Sequence, residues 1–181
     1  GWPRMIFYPE EEIGNQPFKV AGYDFFMPLL RNAVGPEHCI TIDNNIGHMN
    51  DRLDRGKRDH SRYRAYNAWD QPAIDDAKQE SAAIWTFNRG FLRSAWGHYL
   101  QRIDATGCHQ WADNWDGGSY GVWFNSIAAG DGKVLTSVNY ERAALGLRDL
   151  ALLRELADLG GGYAAELAQI NAVVQLDLLQ D

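Results

Sequence analysis

Three consecutive glycines, Gly160-Gly161-Gly162, separate two apolar-patterned runs and constrain the chain more than any other feature. Glycine takes left-handed conformations at no steric cost, so the triplet stops a helix and turns the chain. The run before it, Tyr140 to Leu159, is leucine-rich on several sides, as a helix enclosed by neighbours would be. The run after it places Tyr163, Leu167, Ile170, Val174 and Leu178 on one stripe and predicts a helix to Leu179. A loop this short joins an antiparallel helix pair.

A second helix start is written at Asp70-Gln71-Pro72, with an N-cap residue, proline in the first turn, and Asp75 and Asp76 facing the positive end of the helix dipole. From there Ile84, Phe91, Ala95, Tyr99 and Ile103 keep helical spacing and predict one long helix to about Asp104. Ala105-Thr106-Gly107 would end it. Upstream, Val20 to Leu30 predicts a short helix or two with a break at Pro28, and His38 to Asp43 fits a strand or a helix start equally well. Downstream, Gly117-Gly118 and Gly130-Asp131-Gly132 flank Tyr120–Asn125 and Lys133–Val138, the pattern of a β-hairpin. The expected fold is mainly α: a single domain over residues 1–181, with a helical bundle-like core and a small β-hairpin at about 118–138 packed on it.

At 181 residues the chain can bury a full core without a metal or disulfide, and 45% hydrophobic content excludes disorder. A net charge of -7 argues against nucleic acid or an anionic membrane as general partner. No apolar run approaches the roughly 20 residues of a membrane span, and no basic-then-apolar leader is seen, so a soluble chain is expected. It starts Gly1-Trp2-Pro3, as a processed product or an excised domain would. Cys39 and Cys108 admit two free thiols or one disulfide. A disulfide would indicate a secreted or periplasmic protein, and free thiols leave the cytoplasm open.

No HExxH, CxxC, P-loop, GxSxG or dinucleotide-binding motif is present, and no cofactor is expected. The stretch His109 to Phe124, HQWADNWDGGSYGVWF, is the richest in chemistry. Sugar sites combine flat aromatic faces with paired hydrogen-bonding groups, and glycan hydrolysis needs two carboxyl groups. Trp111, Trp115, Tyr120 and Trp123 supply the aromatics, and Gln110, Asp113, Asn114 and Asp116 the polar groups. Asp113 or Asp116 would be base or nucleophile, and Asp104 or Glu141 the acid. The same tryptophans would equally serve as the packed side of a hairpin.

Gly117-Gly118-Ser119-Tyr120-Gly121 resembles the GG-S-Y-G hairpin of some lysozyme-like peptidoglycan hydrolases. Trp123-Phe124-Asn125 departs from that pattern, which soon continues with a polar residue, and Asp104 stands where the resemblance implies a glutamate at a helix end. A glycine-rich hairpin before DGK and a helix is also similar to part of the α/α-toroid sugar enzymes, whose complete toroid needs a longer chain.

A glycan-directed hydrolase, acting on bacterial cell-wall polysaccharide as a soluble effector would, is the leading expectation. Its rival is a non-catalytic protein-interaction domain, an adaptor or a toxin-neutralising partner. A third reading is a metal-assisted phosphoesterase on His48, Asp51, Asp59 and His60, with Asp43 beside them and Arg55, Arg58 and Arg62 to hold phosphate. Against it, the run Asp51 to Arg64 alternates charge as a solvated face does. A cysteine nucleophile would need a cross-pairing such as Cys108 with His38.

Overall fold

A computed structural model describes residues 5–10, 13–43, 61–87, 92–109, 126–128, 134–136 and 138–174. These fall into two compact units, the first drawn from Gly1–Asn88 and Ala105–His109, the second from Arg89–Asp104 and Gln110–Asp181. Helix predominates among the described residues, as expected. A helical bundle carrying only a hairpin does not describe them, because the first unit is built on a parallel sheet.

That sheet contains β1 (Ile40–Asp43), β2 (Tyr63–Tyr66), β3 (Ala83–Phe87) and β4 (Gly107–His109), in the order β1-β2-β3-β4. All three pairings are parallel. Phe7 extends the series through a parallel bridge to Cys39, donating its N–H to the His38 carbonyl at 2.7 Å. Each strand therefore lies beside the one before it in sequence. β-Branched and aromatic residues supply the strand preference, and β1 is buried throughout, as expected for a parallel strand covered on both faces.

Two helices cover one face. Helix α1 (Pro17–Val34) turns Tyr23 and Met27 inward to pack with Ile13 and Cys39. The Tyr23 hydroxyl lies 2.8 Å from Thr41 Oγ1, which in turn donates to Ser61 Oγ at 2.8 Å. Since Thr41 has one proton to give, Tyr23 is the donor in the first bond. Helix α2 (Gln71–Gln79) is capped by Asp70, whose carboxylate accepts from Ala73 N at 2.9 Å. Its Asp76 holds Arg64 Nη1 at 2.8 Å, and Glu80 accepts from Nη2 at 3.2 Å. Thr41 and Arg64 are register partners, so α1 and α2 lie on the same face. The opposite face is apolar, with Ile40, Ile42, Ala65 and Phe87 buried and Ile6, Tyr63 and Trp85 packed against them.

Three expectations change here. Pro28 lies inside α1 without breaking it. A proline removes one intrahelical donor, and burial of Tyr23 and Met27 on the turns around it offsets that loss. The long helix from Asp70 to Asp104 does not exist, since α2 stops at Gln79, Ser81 takes φ 54°, and Ala83–Phe87 is a strand. Ile84 shares helical spacing with Ala95, Tyr99 and Ile103 by coincidence, because a buried strand also needs an apolar residue there. Gly107 opens β4 rather than capping a helix, and the left-handed residue is Asp104, φ 57°. A Cβ on Gly107 would stand 2.5 Å from the indole of Trp85, its register partner, so the glycine makes room for that ring.

In the second unit a π-helical segment, Ala95–Tyr99, runs into the short α3 (Leu100–Arg102). Strands β5 (Ser126–Ala128) and β6 (Val134–Thr136) pair antiparallel. β6 falls within the expected second strand, and β5 begins after Asn125, past the expected first one. Helix α4 (Val138–Leu159) ends before the glycine triplet, where Gly160 and Gly161 both adopt φ 59°. A 3-10 turn, Gly161–Tyr163, then leads into α5 (Ala164–Val173), which buries Leu167 while Tyr163 stays exposed. Nor is α4 enclosed, for Leu145, Leu147, Leu152 and Leu159 are all exposed.

Candidate functional site

In parallel β/α sheets the carboxyl ends of the strands are where ligands bind, because the loops leaving that edge converge there. In the first unit this edge is set by register: Asp43, Tyr66 and Thr86 stand side by side with Cys108, and Phe87 pairs with His109 one step further out. The ladder continues past β2, with Asn67 N donating to the Asp43 carbonyl at 3.2 Å.

Several groups hold the edge in place. The buried Asp43 carboxylate accepts from Gly14 N at 3.2 Å, which ties the turn before α1 to the end of β1. Tyr66 and Trp69 lie against each other with ring centroids 4.6 Å apart, and Trp69 Nε1 donates to the Trp85 carbonyl at 2.9 Å. Both rings are fully buried, which makes them walls of the edge rather than stacking platforms. Among the described residues, Asn67, half-buried directly after β2, brings an amide to this edge. Sequence reasoning passed over Asn67 and Trp69, and nothing local to Ala65–Asp70 marks them, because their placement depends on the pairing of strands distant in sequence.

The residues singled out from the sequence divide as follows. Asp104 is exposed at the turn after α3, its N–H donating to the Gln101 carbonyl at 3.1 Å, and Glu141 is exposed in the first turn of α4. Gln110, Trp111, Asp113, Asn114, Asp116, Trp115, Tyr120 and Trp123 lie outside the described residues, as do His48, Asp51, Asp59 and His60. Among the described residues no three His, Cys, Asp or Glu side chains are grouped as a metal would need. No described helix is long and apolar enough to cross a membrane.

Cys39 and Cys108 are free thiols. Cys39 precedes β1 and Cys108 lies on β4, three strand spacings away, on the order of 14 Å. A disulfide needs Cα atoms within about 7 Å. The same separation keeps His38, whose Nδ1 lies 2.9 Å from the Met5 carbonyl oxygen, from activating Cys108. Burial raises the Cys108 thiol above its ordinary pKa, the opposite of what a nucleophile needs.

At the amino-terminal edge of the same sheet a small cleft is lined by Glu37, Ser61, Arg62, Arg64, Glu80 and Ser81. Its arginines are already engaged: Arg64 with Asp76 and Glu80, and Arg62 with the Ser81 carbonyl. This edge of a parallel sheet serves stability, and these ion pairs fit that role. No protein-family model matches the chain, and no curated protein does.

Proposed function

We propose that this chain is a glycan-directed hydrolase, with bacterial cell-wall polysaccharide as its candidate substrate. One observation supports the reading above others. β4 ends at His109 at the carboxyl edge of a parallel sheet, the edge where ligands bind in parallel β/α folds, and the next residues in sequence are Gln110-Trp111-Ala112-Asp113-Asn114-Trp115-Asp116. The stretch with the aromatic and carboxyl groups a sugar site uses thus follows β4 directly in the sequence. In this reading Asp113 or Asp116 is base or nucleophile, and Asp104 or Glu141 is the acid. Gln110, Trp111, Asn114, Trp115, Tyr120 and Trp123 hold the sugar. Asp104 and Glu141 are both exposed and so open to a substrate from solvent.

The test is turnover of purified peptidoglycan and of chitooligosaccharides by the wild-type chain and by Asp113→Asn and Asp116→Asn. Release of reducing ends that one variant abolishes, with unchanged circular dichroism, supports the reading. No turnover and no binding of either substrate by the wild type overturns it. A second reading, a non-catalytic interaction domain, is favoured by the exposed apolar side chains of α4.

A further inference from the structure

The outer surface of α4 repeats with a spacing of seven. Val138, Leu145, Leu152 and Leu159 are 67%, 39%, 59% and 69% exposed and form one stripe along the full helix. The buried residues Asn139, Ala143, Gly146, Leu150 and Leu153 occupy a different face, so the helix carries apolar rows in two directions. A row recurring every seventh residue drifts about 20° per repeat around a straight helix, and two such rows stay in contact by crossing in a left-handed sense. Along one flank of the stripe, three residues after each of its first three members, stand Glu141, Arg148 and Glu155, all exposed. Their charges alternate.

We propose that two copies of this chain associate through α4, antiparallel across a two-fold axis near Leu152. In an antiparallel two-fold pair the same flank of each helix meets itself, running in opposite directions. With Leu152 facing Leu152 of the second copy, Leu145 meets Leu159 and Arg148 meets Glu155, each contact occurring twice. The stripe is therefore self-complementary in shape and in charge on that flank, and charge pairs beside an apolar seam are what select orientation and partner. On the other flank, Asp149 is tied to Arg93 within its own copy, and Leu156 adds apolar surface. The contact spans Leu145 to Leu159, roughly 20 Å of helix. That length belongs to the smaller, weaker class of interfaces, so association is expected at micromolar concentration.

Sedimentation equilibrium of the whole chain up to about 100 µM tests the proposal. The wild type is expected to dimerise, and Leu152→Glu, which sets two carboxylates face to face at the axis, to be monomeric with unchanged circular dichroism. Arg148→Glu is expected to weaken the dimer about fivefold, and Arg148→Glu combined with Glu155→Arg to restore it. A wild type that stays monomeric throughout overturns the proposal. So does a dimer that both Leu152→Glu and Arg148→Glu leave intact, since that dimer would use another surface.

Discussion

Gly97 and Gly146 bring two helical segments of the second unit into backbone contact. A methyl group at Gly97 would lie 2.8 Å from the Gly146 carbonyl oxygen, and one at Gly146 only 2.5 Å from the Arg93 carbonyl oxygen and 2.7 Å from Trp96 Cβ. On helix propensity alone, Gly146→Ala would stabilise by about 1 kcal/mol. The Arg93 carbonyl is backbone and Trp96 Cβ is bonded directly to backbone, so neither can swing aside and overpacking wins. Gly146→Ala is expected to lower stability by roughly 1–3 kcal/mol in urea denaturation, and a variant as stable as wild type would show that the segments are not packed this closely.

The charge of Arg64 is buried, 1% exposed, and its partner Asp76 is 8% exposed. Removing one partner of such a pair leaves the other charged and dry. Asp76→Ala is expected to cost about 3 kcal/mol. Glu80→Ala, whose carboxylate keeps more solvent, should cost clearly less. Equal losses for the two, measured by chemical denaturation, would mean that Asp76 and Glu80 share the neutralisation of Arg64 evenly.

The carboxylate of Asp149 is gripped by Arg93 at 2.6 and 2.7 Å. That hydrogen bonding holds its pKa below the usual carboxylate value, with the nearby His98 acting in the same direction. A depressed folded-state pKa stabilises the protein above the unfolded value, near 3.9, and the contribution disappears as pH falls through the folded value. Wild type should therefore lose stability more steeply than Asp149→Asn as pH falls below about 4. Parallel acid limbs for the two proteins would remove the pair from the stability balance.

Because burial raises the Cys108 thiol, little thiolate is present at neutral pH. Iodoacetamide is expected to alkylate it more slowly than free cysteine at pH 7.5, with the rate rising toward alkaline pH. Cys39, fully buried under α1, should react only on unfolding. Peptide mapping after timed alkylation reads both, and labelling of Cys108 faster than free cysteine would contradict its environment.

What the sequence disclosed follows from the range of the interactions. The Asp70 cap with Pro72, and the glycine stop at 160–162, are local devices and appear where the residues place them. The parallel sheet was illegible because Ile40-Thr41-Ile42-Asp43 is buried on both faces, leaving no alternation to read. Ala83–Phe87 reads as helix in the sequence because the preceding break is Ser81, a residue that seldom marks one. The edge at Asp43, Asn67 and His109 is a property of register between strands 20 or more residues apart, which no window of sequence contains.

The sequential strand order also shapes how the chain assembles during synthesis. β1 finds β2, and β2 finds β3, each pairing with a segment already made. The last pairing is different. β3 and β4 are separated by Arg89–Asp104, which belongs to the other unit, so a nascent chain must leave the sheet and return before Gly107–His109 can close that side. Until then β3 presents an unpaired parallel edge, and aggregation during expression should respond to changes in Arg89–Asp104 more than to changes elsewhere in the second unit.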